Sequence, residues 1–430
     1  MAMTVLENVT LNGEKKNIFI KDNKIHEIGE GGPYKKKEGE TIIPCEGKAI
    51  LPAFYNCHTH SPMVLLKGRG EDKILEKWLA EDMFPAEAKF NEDIVYHASK
   101  FAILEMIKGG TVFFNDMYYF PEATKRAIEE MGIRGAICSP QIDFINGRQI
   151  GEEELKKKKE EIEEFAKLKF DNPRLIKVTG VHSVYTLSND LLKFYSEISK
   201  KYKTFLHIHA CETEIEVKTS QNRFHKSPIQ VLEDYDLLRE NTILAHCVHL
   251  TEDDIKLIKK YGCTIAHCPV SNYKLVSGQF RFDELLEKGI RITLGTDGSA
   301  SNNNLSMIEE MKVCALNAKM VGKAPYKGKV DNILETATIN GAKAFNIEAG
   351  KIEVGKYADF ILVNLNHIQL LPNHNLKSNM IYSAHDDVIT DVFCDGKQIM
   401  KDRKVENEDE IIKNFKAAYE QLQKILNESN

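Results

Sequence analysis

No stretch of this chain is apolar for long enough to span a bilayer, and its first ten residues carry no basic cluster leading into a hydrophobic run. Neither a transmembrane helix nor a secretory signal is expected. An excess of positive charge is also missing. Lys and Arg number 58 against 64 Asp and Glu, a net charge of −6, which argues against nucleic acid as the main partner. The one lysine block, 156–159, runs straight into Glu160, Glu161, Glu163 and Glu164, the pattern of a solvated helix face. The 9 cysteines are odd in number and contain no C-x-x-C pair. Cys138, Cys211, Cys247 and Cys268 sit inside apolar runs, which predicts reduced, buried thiols in a cytoplasmic protein. Sequence repeats and low-complexity tracts are absent.

What is present is length and alternation. The 430 residues, 42% of them hydrophobic, exceed one ordinary domain and fit a large α/β barrel with an accessory domain. Strand-like runs fall at 49–57, 111–117, 135–143, 175–181, 204–209, 242–247, 264–269 and 291–296. Helical patterns lie between and after them, at 91–108, 121–131, 151–168, 188–200, 227–235, 251–261, 282–288 and 306–321. Eight βα units in series predict a closed parallel (β/α)8 barrel over 51–350. The ends differ in style. Residues 1–50 show short strands and turns at Asn12-Gly13 and Asp22-Asn23. The same style returns after 350, with a strand at 360–365 and a hairpin around 388–396. Segments 1–50 and 351–430 are therefore expected to form one composite β-sandwich domain, closed by an amphipathic helix at 408–426.

Reactive side chains gather at the predicted strand ends. The first strand ends in Asn56-Cys57-His58-Thr59-His60, which places two imidazoles on one side of the sheet. The fifth ends in His207-Ile208-His209 and continues to Glu212. The sixth ends in His246, with His249 just beyond, and the eighth in Asp297. In a barrel these ends share one face. Three histidines and a carboxylate suit Zn²⁺ or Fe²⁺, with a further position open to water. The expected ligands are His58, His60, His209 and Asp297. Side-chain parity does not separate His207 from His209; His209 lies nearer the strand end and three residues before Glu212. That spacing leaves Glu212 beyond the metal as a proton donor. His246 is placed to orient the water, while His207, His249 and His267 are expected in packing or supporting positions.

These residues carry a resemblance. The segments 56–66 (NCHTHSPMVLL), 78–89 (WLAEDMFPAEAK), 181–187 (VHSVYTL), 207–216 (HIHACETEIE), 244–251 (LAHCVHLT), 294–304 (LGTDGSASNNN), 337–345 (ATINGAKAF), 355–363 (GKYADFILV) and 371–375 (LPNHN) resemble the amidohydrolase superfamily, in its methylthioadenosine/S-adenosylhomocysteine deaminase branch. The resemblance implies one divalent metal per chain, zinc with iron as the other candidate, held by His58, His60, His209 and Asp297. It implies Glu212 as catalytic acid, His246 and Asp297 as groups that hold the water and take its proton, Glu87 on the ribose hydroxyls and His182 on the nucleoside. Arg148, on the loop after the third strand, is the candidate for a substrate carboxylate, though its spacing does not align cleanly. Lys177 lies too early in the fourth strand to bridge two metals. The implied reaction is hydrolytic deamination of a 5′-substituted adenosine. The substrate is small, no nucleic acid or membrane partner is expected, and homo-oligomers occur in such families. Guanine, cytosine or triazine hydrolysis on the same scaffold is the alternative, and a non-catalytic relative the remote one.

Overall fold

The computed structural model describes residues 3–145 and 148–428. Eight parallel strands run in chain order around a barrel: Phe54–Thr59, Thr111–Met117, Arg134–Cys138, Leu175–Ser183, Phe205–Ala210, Thr242–His246, Thr264–His267 and Arg291–Leu294. Most are buried at every residue, since one side faces the barrel interior and the other the helices. The ring closes between the first and last strands. Thr59 bridges Asp297, and Asp297 N donates to His58 O at 3.0 Å. The Asn56 side chain stitches across the seam twice, donating through Nδ2 to Thr296 Oγ1 at 2.7 Å and accepting at Oδ1 from Thr296 N at 3.0 Å. Gly295 permits this approach, because a Cβ there would lie 2.7 Å from that of His58.

The outer helices begin where a side chain satisfies a free backbone N–H. Asn91, Ser188, Ser227 and Thr251 each accept from the amide three residues on. The helices expected from periodicity are present to within about two residues at each end. Glu214–Phe224 is a helix that periodicity does not predict. Its buried positions are Glu216 and Ser220, so it carries no apolar stripe to betray it.

Three expected strands need correction. The run 49–57 is two strands, Lys48–Pro52 and Phe54–Thr59, in different sheets. The expected boundary at 50/51 therefore falls inside a strand. The run 135–143 stops as a strand at Cys138, shortly before Pro140, and 264–269 stops at His267, where Pro269 opens a short helix. Proline has no N–H to give the ladder.

A second sheet takes strands from both ends of the chain. Its order is Lys397–Met400, Ile389–Cys394, Phe360–Asn364, Lys48–Pro52, Met3–Leu11, Glu14–Lys21 and Lys24–Glu30, with Glu40–Pro44 also paired to Met3–Leu11. It has its own core of Leu6, Val9, Ile18, Ile20, Ile25, Phe360, Leu362 and Phe393. The terminal helix Glu408–Glu428 lies along the barrel helix Glu92–Lys108, with Phe415 stacked on Phe101 at 3.9 Å between ring centres. No helix among the described residues is long and apolar enough to cross a membrane.

A buried charge cluster fastens the second sheet to the barrel. Arg134, at the start of the third barrel strand, donates through Nε to Asp359 Oδ2 at 2.8 Å and through Nη2 to Asp395 Oδ1 at 2.7 Å. Tyr55 OH donates to the same Asp359 oxygen at 2.7 Å. Arg134→Met would leave Asp359 buried without its counter-ion, at a cost of about 3–5 kcal/mol. Urea unfolding of the variant is expected to show that loss; a change below about 1 kcal/mol would show the cluster to be incidental.

Candidate active site and metal centre

The C-terminal end of the barrel gathers four side chains from three strands. His58 Nε2 and His60 Nε2 lie 3.3 and 3.2 Å from Asp297 Oδ1. His209 Nε2 lies 3.2 Å from His60 Nε2. Each ring is oriented by its other nitrogen. His60 Nδ1 donates to Met117 O at 2.7 Å and His209 Nδ1 to His182 O at 2.8 Å. His58 Nδ1 meets His207 Nε2 at 2.8 Å. The two carbonyl contacts put the protons of His60 and His209 on Nδ1, and the Nε2 atoms of all three rings face one point. Asp297 Oδ2 is turned away and held by the hydroxyls of Ser271 and Ser301 at 2.6 and 3.1 Å.

The donor set fits a divalent cation. His58 Nε2 is buried without a hydrogen-bond partner, and an orphaned polar atom of that kind costs about 1–3 kcal/mol unless something else satisfies it. Burial opposes charge on Asp297, yet contacts with His58 and His60 hold its carboxyl well below the usual range. Burial, reinforced by the neighbouring imidazoles, pushes His209 far down, so that ring is neutral and able to ligate. Burial also pulls His58 down to about 4. His60 moves the other way, to about 9, because Asp297 outweighs its burial. The site thus favours positive charge beside Asp297. His58, His246 and Cys268 form an overlapping trio, but burial drives the Cys268 thiol far up and keeps it protonated, which makes it a poor ligand.

Glu212 and His246 face this centre. Burial first, then the charge of Asp297, raises the Glu212 carboxyl to about 8. Ser277 Oγ donates to its Oε1 at 3.4 Å, and its Oε2 lies 3.7 Å from His246 Nε2. Asn272 Nδ2 donates to His246 Nδ1 at 3.0 Å, which leaves the His246 proton on Nε2. Strand ends bend sharply here. Cys211, His246, Cys247 and Asp297 all have left-handed backbone, at φ of 53°, 70°, 52° and 60°, a strained state for residues other than glycine.

A cavity of about 790 Å³, its mouth included, opens over the centre. Leu75, Trp78, Leu79, Phe84, Tyr119 and Tyr185 contribute its broad walls, with Glu87 and His182 at the polar positions. Tyr118 OH donates to Glu87 Oε1 at 2.7 Å, and burial raises the Glu87 carboxyl. His182 Nδ1 bonds Thr186 Oγ1 at 2.9 Å, and burial lowers its ring to about 3.

Every site residue expected from sequence therefore meets the others in this one place, with the exception of Arg148. That residue is exposed on the short antiparallel strand pair Phe144–Ile145 and Arg148–Gln149 and is not among the residues lining the cavity. His207 supports His58, as expected of a supporting residue. His249 Nε2 donates to Ser277 O at 2.5 Å, and His267 stacks on Phe280. Lys177 turns outward to Ala166 O at 2.7 Å. Sequence reasoning misses Ser271, Asn272, Ser277, Ser301 and Tyr118. Ser271 and Asn272 follow the seventh strand and Tyr118 the second, so the strand-end rule could have found them.

Fold and donors together define a barrel whose C-terminal mouth carries a histidine-rich set that fits a divalent cation. The chain belongs to the Amidohydrolase family, whose model matches residues 49–399. It is 39% identical over 411 residues to a 5′-deoxyadenosine deaminase of Methanocaldococcus jannaschii, covering 95% of this chain and 96% of that one. It is 38% identical over 405 residues to a 5-methylthioadenosine/S-adenosylhomocysteine deaminase of Archaeoglobus fulgidus, covering 94% of each. Among solved structures, an adenosine deaminase from Xanthomonas campestris with bound zinc superposes with a TM-score of 0.88 at 26% identity, covering 98% of both chains.

His209→Ala should reduce bound metal to below about a tenth of an equivalent per chain, against about one in the parent. Elemental analysis of protein purified without chelators checks this. Full metal content in that variant would remove His209 from the ligand set.

Proposed function

We propose that this chain hydrolyses the 6-amino group of a 5′-substituted adenosine, releasing ammonia and the inosine analogue. The observation that carries the proposal is the meeting, in one apolar cavity, of the four-donor set with a carboxyl that burial keeps protonated at neutral pH. The deaminase relatives supply the substrate class. His58, His60, His209 and Asp297 would hold the cation, with zinc favoured by three imidazoles and a carboxylate. When bound, such an ion supplies Lewis-acid activation of water.

The chain's own groups do the rest. Glu212 is the protonated carboxyl that faces the centre: it protonates the ring nitrogen beside C6 as the amino-bearing carbon becomes tetrahedral. His246, held by Asn272, orients the attacking water. The Asp297 carboxylate, fixed through Oδ2 by Ser271 and Ser301, accepts that water's proton. The proton passes to the departing amine, ammonia leaves, and the remaining hydroxyl proton returns to Glu212 as the C6 carbonyl forms. In the same cavity Glu87 accepts from the ribose hydroxyls, and His182 contacts the nucleoside. Lys and Arg are absent from the described cavity lining, while Glu87, Glu212, Glu216 and Asp297 are present. That balance favours a neutral 5′ tail over one carrying a carboxylate, and leaves Arg148 without a part in the reading. Nine free, buried cysteines support a reducing, cytoplasmic setting.

Ammonia release from 5′-deoxyadenosine, methylthioadenosine, adenosine, S-adenosylhomocysteine and guanine tests the proposal directly. The first two are expected to lead. Turnover of guanine alone would replace the reading with base deamination. Glu212→Gln should retain its metal and lose about 10²–10⁴-fold in kcat; loss of metal instead would mean Glu212 had been misassigned. The acid role also sets a pH limb. The folded carboxyl lies above its ordinary value, so it is protonated at low pH and loses its proton as pH rises through about 8. A bound cation favours the carboxylate and moves the limb down. Rate is therefore expected to fall on the alkaline side, at or below that value; a rate flat to about pH 10 would contradict it.

A further inference from the structure

The proposed reaction needs Glu212 aimed at the substrate, and the fold spends a second buried acid near it. Glu216 lies on the first turn of Glu214–Phe224 and is only 4% exposed. Thr213 caps that helix, accepting from Glu216 N at 3.1 Å. In a capping box the glutamate would answer by bonding the cap residue's own amide. Glu216 reaches further back. Its Oε1 accepts from Cys211 N at 3.0 Å and its Oε2 from Glu212 N at 2.7 Å. Burial raises this carboxyl to about 7, while the two amides favour its ionised form.

Those two amides flank the left-handed bend at Cys211, φ 53°. The carbonyl of Cys211 is held from the other side, accepting from Val248 N and His249 N at 3.0 and 2.9 Å. The bend is thus gripped on both faces, and its direction sets where the Glu212 side chain points. Without the Glu216 carboxylate two adjacent buried N–H groups would be orphaned, a penalty that relaxing the bend would relieve.

We propose that Glu216 is the positioning residue for the proton donor: its carboxylate clamps the Cys211–Glu212 backbone so that Glu212 faces the reacting ring. The proposal rests on the deaminase reading for its kinetic consequence, and not for its structural one.

Two readouts separate the cases. Amide hydrogen exchange of the peptide spanning Cys211 and Glu212 needs no substrate. Glu216→Ala should lose at least about 10-fold in protection there, with Glu216→Gln intermediate, since an amide keeps one acceptor oxygen. Kinetics on 5′-deoxyadenosine should show kcat down about 10²-fold in Glu216→Ala, as expected for a displaced catalytic group, and less in Glu216→Gln. KM should stay within about 3-fold, and metal content should be unchanged. Unchanged protection in Glu216→Ala overturns the proposal, as does parental kcat in that variant. So does a general loss of protection with loss of metal, which would mark Glu216 as a fold residue only; Glu216→Gln, the milder change, guards against reading simple misfolding as support. If the parent protein deaminates no adenosine analogue, the functional reading fails while the exchange result still judges the clamp.

Discussion

The seam between the first and eighth barrel strands is the constraint on which the rest of the structure depends. It closes the barrel, and the same residues make the site. Thr59 pairs with Asp297 in the bridge that completes the ring, and these two positions adjoin His58, His60 and the Asp297 carboxylate. Asn56 holds the seam with two side-chain bonds to Thr296. Closing the ring and assembling the donors are therefore one event. A barrel left open at this point would separate Asp297 from both histidines.

Around the seam, precision comes from outer contacts more than from the ligands themselves. A backbone carbonyl orients His60, another orients His209, and His207 orients His58. Two serines fix which oxygen Asp297 presents. The left-handed bends at Cys211, His246, Cys247 and Asp297 lie where strands hand over to the loops that carry chemistry. Strain of order ~1–3 kcal/mol per residue persists only where surrounding bonds over-determine the backbone. At Cys211 those bonds are visible on both sides.

The opposed behaviour of neighbouring acids follows from the same geometry. Asp297 stays ionised against its burial because two imidazoles face it. Glu212 sits a short way off, where burial first and then the charge of Asp297 keep its proton on. Two carboxyls in one cavity are thus pushed apart in acidity, the arrangement that lets one serve as acid while the other takes a proton.

The sequence by itself determined the barrel, the face on which reactive side chains gather, and every residue it named for that face except Arg148. Hydrophobic runs locate strands because both faces are buried, and histidines at the ends of such runs fall together at one mouth of the barrel. It did not determine where one sheet passes to the other. The run 49–57 is apolar almost throughout, and only tertiary pairing divides it at Ala53. Nor could it reveal Glu214–Phe224, whose inward face is a carboxylate and a hydroxyl, or which groups Ser271, Asn272 and Tyr118 hold, since those partners lie 26, 26 and 31 residues away in the chain. Arg148 shows the same limit from the other side. Its charge suited a role that its position, exposed and outside the cavity lining, does not support. Periodicity reports which way a residue faces relative to its own element, whereas a side chain's partner depends on how separate elements pack, and that only the closed barrel decided.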